Sequence, residues 1–572
     1  MTDRRSFLKC CTGAGLSAVM AEALWQAAAA STSGPAAAPG GQPAGFRITR
    51  EMIRAAEGLA GLQFTDAERD LMVANLENNL AAYENIRLVP IPNWVPPALD
   101  FSPVLPGRRY TGSTRPTGAA AHSRPAVRLP ASRADVAFLP VMELSELLRT
   151  RQLSSTELTR LYLDRLRRYD PTLRCVVTLT EDRALRQAAE ADQRLTAGRR
   201  RGPLDGIPYG IKDMFSVPGY PTTWGAAIYR NRVLPTTATV VERLDAAGAV
   251  LVAKLSMGEL GLNDNWFRGT TMNPWRPSVG ASGSSAGSAA AAAAGLVGFG
   301  VGTETMGSIV TPATRNGVTG LRPTFGRVSR HGMMTLSWSL DKPGILARGV
   351  EDCAVVLEAI AGPDGKDSTV HPIPYAWNPA RPLAGIRLGY FKAAFDAPRT
   401  GKQRDDAALA SLRALGATPV PIDLPTDIPI NSLLIVRVEA AAAFDDFTRS
   451  DGMRLLVEQG EDGWPNFIRS GRFVPAVEYL QANRIRTMLM ERLEQVFRQV
   501  DVFMAPSFGV MPATNLSGHP CVVMPNGMTD EGIPSSISLI GNLFAEAELC
   551  TVARAWQDAT GWHRRHPVGF DE

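Results

Sequence analysis

Two serine-bearing segments and one lysine carry the residue types from which a nucleophilic site could be assembled. The run GASGSSAGSAAAAAA, residues 280–294, consists almost wholly of small side chains, with serines at 282, 284, 285 and 288. The stretch GTETMGSIV, residues 302–310, sets Ser308 directly after a glycine, in a segment whose single charge is Glu304. A serine hydroxyl is a poor nucleophile until a base takes its proton. None of the six histidines, at 122, 331, 371, 519, 563 and 566, falls in either segment. Lys212, in the apolar run GIPYGIKDMF, can serve instead, because burial disfavours the charged ammonium and lowers its pKa. Lys254 in VLVAKLS is an equal rival on pattern alone. Crowded small residues also let backbone N–H groups come close to a reacting oxygen. Their other use is close packing of backbones.

Other readings of the same residues compete. Gly283-Ser284-Ser285-Ala286-Gly287 matches the G-x-S-x-G nucleophile elbow, with Ser285 as nucleophile, but an elbow follows a buried strand and NPWRPSVGAS precedes this one. Gly302 to Ser308 resembles a phosphate-binding loop without the lysine that neutralises the phosphate. Ser285 and Ser288 also suit a helix cap, and Ser282 and Ser284 a turn. Asp213, beside Lys212, reads as a hydrogen-bonding partner for its loop. The chain holds no HExxH or CxxC motif, so no dedicated metal site is expected.

The elements that must position these residues are partly legible. Ser154-x-x-Glu157 caps a helix whose Leu158, Leu161, Tyr162, Leu166 and Tyr169 share one face. TVVERLDAAGAVLVAK reads as a helix, a stop at Gly248 and a buried strand; repeated helix–Gly–strand alternation predicts a layered α/β fold. The alanine run 289–294 predicts a tightly packed central helix. Leu549, Val552, Ala553, Trp556 and Ala559 mark an amphipathic helix near the C-terminus. Thr65-x-x-Glu68 opens an earlier helix, with Met72, Leu76, Leu80 and Tyr83 at helical spacing. Residues 90–130, rich in Pro and Gly, read as an extended arm.

With 45% hydrophobic and 20% charged residues, the 572-residue chain has ordinary globular composition; its net charge of +4 is small and no long basic run appears, so nucleic acid is not an expected partner. MTDRRSFLK followed by a small-residue stretch ending in AAAAS reads as a twin-arginine export signal, residues 1–30. A flexible linker (31–45), a helical extension with the extended arm (46–130) and a catalytic domain (131–572) are expected to follow. The expected location is the periplasm or outside the cell. Cys175, Cys353, Cys521 and Cys550 remain after the signal and are expected as buried free thiols.

Five blocks in order make the chain resemble the amidase signature enzymes from about Leu144 to Pro567. These are GPLDGIPYGIKDMF, NPWRPSVGASGSSAGSAAAAAAGLVGFGVGTETMGSIVTPA, GVTGLRPTFGRVS, LDKPGILARGVEDCAVVLEAIAG and NLSGHPCVVMPNGMTDEGIPSSISLIGN. The resemblance implies an α/β amidase signature fold, with a large mixed central β-sheet covered by helices and, here, an N-terminal helical extension. It implies Ser308 as nucleophile, Ser284 as a bridging serine after a cis peptide, and Lys212 as general base. Backbone N–H groups of Thr305, Met306 and Gly307 would form the oxyanion hole, with that of Ser308 a further candidate. The implied reaction is hydrolysis of a carboxylic amide C–N bond through an acyl-enzyme on Ser308, without metal or organic cofactor. Alternatives are a serine esterase using Ser285, a non-catalytic binding protein, and the A-type glutaminase component of a tRNA amidotransferase. The expected partner is a small-molecule amide, without nucleic acid and without stable membrane insertion after signal removal; a homodimer is compatible with the sequence. Glu304 stands where the family usually has Asp, Val310 where it has Arg, and Met306 where it has Gly. Arg315, the nearest cation in sequence, is the expected partner of Glu304. Residues 375–480 are expected to carry part of the specificity.

Overall fold

The computed structural model describes residues 47–89, 91–97, 99–114, 127–425, 428–430, 432–450 and 452–571. The expected export signal and the whole of the expected linker lie outside the described residues. The chain divides into two compact units, Met1–Ile91 and Pro92–Glu572. In the first, helices Arg50–Ala60 and Asp66–Arg87 pack on each other. The Thr65–Glu68 box forms: the Thr65 N–H donates to Glu68 Oε2 at 2.6 Å, and the Glu68 N–H to Thr65 Oγ1 at 3.3 Å. Arg69 donates to both Glu57 oxygens, at 2.7 and 2.8 Å, and ties the helices together.

In the second unit, an eleven-stranded sheet contains β1 (Val176–Leu179), β2 (Pro208–Lys212), β3 (Val250–Leu255), β4 (Phe299–Glu304), β5 (Thr319–Arg322), β6 (Lys342–Ala347), β7 (Leu388–Phe391), β8 (Val420–Ile422), β9 (Val502–Pro506), β10 (Cys521–Met528) and β11 (Pro534–Gly541). Their spatial order is β1-β3-β2-β4-β6-β5-β10-β11-β9-β7-β8. Pairs β3–β2, β2–β4, β9–β7 and β7–β8 are parallel and the remaining neighbours antiparallel, so the sheet is mixed. Strands β2, β3, β4 and β6 are buried at every position, as strands covered on both faces must be.

The capped helix Ser155–Leu173 forms with its capping box, and its five expected apolar residues are buried. Residues 289–293 of the alanine run lie in helix Ala286–Ala293, every residue of which is buried, and Ala294 ends it as the C-cap. Its small side chains have a packing reason. A methyl on Gly302 of β4 would lie 2.7 Å from Ser285 Oγ, and one on Gly300 would lie 2.8 Å from the Ser288 carbonyl oxygen. Glycine at alternate positions of β4 therefore lets this helix lie directly on the strand. The helix beginning at Ala286 in turn holds Ser284 and Ser285 over the sheet at its N-terminal end. Cys175, Cys353, Cys521 and Cys550 are free and buried. Among the described residues, no helix is long and apolar enough to cross a membrane.

Candidate active site

Lys212 ends β2 and is fully buried. Its Nζ lies 2.8 Å from Ser284 Oγ, 2.8 Å from Thr303 Oγ1 and 3.1 Å from Ser285 Oγ. Burial draws its pKa from 10.5 down to about 7; Asp341 and Glu304 pull the other way but are too weak to restore it. Half the lysine is then a neutral amine near pH 7, with two N–H donors and one lone pair. The hydroxyls around it are not equivalent. Ser285 Oγ donates to the Thr303 carbonyl at 3.0 Å, and Thr303 Oγ1 to Met214 Sδ at 2.9 Å. Both can only accept from Lys212. Ser284 Oγ has no other partner among the described residues, so its proton is the one the lysine lone pair can receive.

The Gly283–Ser284 peptide is cis. Ser308 is half-buried, and its carbonyl accepts from the Ser285 N–H at 3.2 Å. Its hydroxyl bonds to no described group; it lines a cavity of about 320 Å³ together with Gly283, Thr305, Met306 and Gly307. The backbone N–H groups of Thr305, Met306, Gly307 and Ser308 have no hydrogen-bond acceptor among the described residues. Free donors on one turn beside a serine hydroxyl are what an oxyanion requires. The turn depends on Gly307, whose φ of 139° lies where other residues are strained.

Two buried carboxylates brace this turn. Glu304 Oε2 accepts from the Ile309 and Val310 N–H groups at 2.8 and 2.9 Å, immediately after Ser308. Its Oε1 accepts from Arg322 Nη1 at 2.6 Å and Asn515 Nδ2 at 2.8 Å. Burial alone would raise this carboxyl, but the Arg322 guanidinium and the Val310 N–H prevail and hold it below its usual range. Asp341 accepts from the Leu336 and Ser337 N–H groups at 2.8 and 3.0 Å and from the Thr305 hydroxyl. Burial raises its pKa despite these bonds.

The expected pairing of Glu304 with Arg315 is not found. Arg315 sits in the last turn of helix Val310–Asn316 and donates to the Gly280 carbonyl at 3.2 Å, whereas Glu304 reaches across the sheet to Arg322 on β5. Proximity in sequence misled because Glu304 caps the start of that helix, and Arg315 lies at its other end. A buried arginine in GVTGLRP was itself a signal, since it must find a partner. Thr303 and Asp341 left no comparable local mark.

The rival candidates lie elsewhere. Lys254 is buried against Asp213 at 2.6 Å and also donates to Thr222 Oγ1 and the Pro221 carbonyl. Asp213 accepts from the Thr223 N–H at 2.8 Å and so serves its loop, as its sequence position suggests. Ser285 is fully buried and outside the cavity; its Oγ donates to the Thr303 carbonyl and accepts from the Thr303 N–H. The Arg276–Gly280 segment before it belongs to a two-stranded ribbon rather than the main sheet, so the elbow lacks its strand. Val436, Asp462, Trp464 and Phe467 line the cavity from within the stretch 375–480, and Met306 lines it too.

A family model described as Amidase matches residues 157–550. The A-type subunit of glutamyl-tRNA(Gln) amidotransferase from Marinomonas sp. (strain MWYL1) is 36% identical over 480 residues, covering 75% of this chain and 98% of that protein. Its counterpart from Methylococcus capsulatus (strain ATCC 33009 / NCIMB 11132 / Bath) is 37% identical over 482 residues, covering 75% and 98%. Native peptide amidase from Stenotrophomonas maltophilia superimposes with a TM-score of 0.67 at 30% identity, covering 76% of this chain and 99% of that one.

Proposed function

The chain belongs to the amidase signature family, a family of serine hydrolases acting on C–N bonds, and we propose that it hydrolyses small carboxamides through an acyl-enzyme on Ser308. Neutral Lys212 takes the proton of Ser284, Ser284 takes that of Ser308, and Ser308 Oγ attacks the carbonyl. The N–H groups of residues 305–308 hold the oxyanion. The proton returns along the same path to the leaving nitrogen, and water then cleaves the ester. The observation that carries this reading is the Lys212 environment, in which the Ser284 hydroxyl is the one neighbour with a proton to give. In the free protein the Ser308 hydroxyl is not yet bonded to Ser284; catalytic hydrogen bonds commonly tighten only when substrate is bound.

The names of both curated relatives favour a second reading, the glutaminase component of an amidotransferase. Two observations support the free amidase instead. The cavity is walled by Leu262, Met306, Leu336, Val436, Trp464 and Phe467, with no Lys or Arg among its described lining residues to meet a glutamine carboxylate. About a quarter of this chain also has no counterpart in those relatives, which it covers almost end to end. A hydrolysis screen over glutamine, aryl amides, aliphatic amides, peptide amides and carbamates separates the two. Turnover of amides over glutamine supports the free amidase, and the reverse supports the amidotransferase component. Ser308→Ala must abolish either activity; loss with Ser285→Ala alone would return the esterase reading.

Export through the twin-arginine route is part of the proposal and rests on the sequence of residues 1–30. Fractionation of cells producing the native chain and an Arg4→Lys/Arg5→Lys variant tests it. Periplasmic protein lost in the variant supports export, and cytoplasmic protein in both refutes it.

A further inference from the structure

Among the described residues that line the cavity in front of Ser308, Asp462 alone carries an acidic or basic side chain. It is exposed and forms no hydrogen bond or ion pair with a described residue. Three more acidic side chains, Glu458, Glu259 and Asp264, stand behind the same wall. Glu458 accepts from Asn265 and, at 3.4 Å, from Asn263, which lines the cavity. Glu259 is 6% exposed; one oxygen accepts from the Val457 N–H at 2.6 Å, and the other, Oε1, is buried without a hydrogen-bond partner. Asp264 accepts from the Ser282 N–H at 2.7 Å. No salt bridge among the described residues engages any of the four. Of the nearby cations, Arg315 donates to the Gly280 carbonyl, and Arg437 lies over the Phe467 ring at 4.4 Å and bonds Ser470. Burial pushes the Glu259 carboxyl up to about 7 and raises Asp264, which Arg315 partly offsets, and Arg437 opposes the acids from the Phe467 ring. The negative charge turned towards the cavity is therefore chiefly that of Asp462 and Glu458.

The walls complete a recognisable chemistry. Asp462 shortly precedes helix Trp464–Gly471, whose Trp464 and Phe467 meet edge to face, with ring centroids 5.1 Å apart, and line the same cavity. A carboxylate beside aromatic rings attracts an ammonium both by its charge and through the ring quadrupoles. Leu262, Met306, Leu336 and Val436 offer the body of the substrate apolar surface, beside the uncharged polar Asn263, Ser282, Thr305 and Thr311.

We propose that the enzyme selects carboxamides in which an apolar body carries a cationic group, with Asp462 as the counter-ion. This rests on the amidohydrolase reading above and names its substrate class. Matched pairs test it: 4-(aminomethyl)benzamide against 4-ethylbenzamide, and 6-aminohexanamide against heptanamide, each pair differing by an ammonium in place of a methyl. The readout is the ratio of kcat/KM within a pair at pH 8, in the native protein, Asp462→Asn and Asp462→Lys. The proposal expects a ratio above one in the native protein for at least one pair. That ratio falls about five-fold in Asp462→Asn, the upper range for an exposed ion pair, inverts in Asp462→Lys and shrinks with added salt. Hydrolysis of the neutral amides with a native ratio at or below one, or a ratio indifferent to Asp462, overturns the inference and leaves the amidase reading intact. If no amide is turned over and Ser308 takes no acyl group, both readings fall.

Discussion

Replacing Lys212 with Met separates what this lysine does for activity from what it does to stability. The drop in its pKa from 10.5 to about 7 means that the folded protein holds an amine it would otherwise protonate. Between these two values the unfolded chain binds a proton that the native state does not, so stability rises with pH across that window. The native protein carries a penalty of about 4 kcal/mol at pH 7 and about 2 kcal/mol at pH 9 from this one group. Methionine removes the penalty and its pH dependence. It also removes the contacts to Ser284, Ser285 and Thr303, worth about 1 kcal/mol each. The variant is therefore expected to be more stable than the native protein by about 1 kcal/mol at pH 7, and less stable by about 1 kcal/mol at pH 9. Activity should fall by a factor of about 100 to 10,000, the range for loss of a general base. Equilibrium urea unfolding at both pH values, with amide hydrolysis on the same preparations, gives the answer. A stability difference that does not change between pH 7 and 9, or a variant that keeps its activity, would refute the claim that Lys212 is neutral and acts as the base.

The remaining predictions concern the base and the Ser308 turn. In the native protein kcat/KM should rise through a pKa near 7 as Lys212 loses its proton, and a profile flat from pH 5 to 9 contradicts this. Glu304→Gln keeps an acceptor for the Ile309 and Val310 N–H groups but leaves Arg322 buried without its counter-charge. It should lower stability by about 3–5 kcal/mol in chemical denaturation, whereas Arg315→Ala stays within about 1 kcal/mol. Gly307→Ala places a methyl 2.8 Å from Met511 Sδ on a backbone at φ 139°; it should cost about 1–3 kcal/mol and lower kcat about 100-fold or more, because the N–H donors move.

What the sequence made legible follows from where information sits along a chain. The helix after Ser154, the Gly248 stop and the alanine helix were readable because their signals lie within a few residues of one another. Lys212, Ser284 and Ser308 were chosen as candidates through whole blocks; on pattern alone Lys254 matched Lys212, and its ion pair with Asp213 sets it apart. Arg322 was missed as the partner of Glu304 because β6 lies between their strands, and no local spacing encodes which strands become neighbours. The same holds for Thr303, which β2–β4 pairing brings to the lysine, and for Asp341, which receives the Thr305 hydroxyl. The cavity walls come from segments more than a hundred residues apart, Gly261 to Phe467, so the negative field at Asp462 could not be read from either end alone.

The most direct measurement is mass spectrometry of the protein after reaction with a fluorophosphonate, with the modified peptide sequenced. A single adduct on Ser308, formed faster at pH 8 than at pH 6 and slowed about a hundred-fold or more in Lys212→Met, is the predicted result. Labelling of Ser285 in place of Ser308, or labelling of Ser308 at an undiminished rate without the lysine, would contradict it.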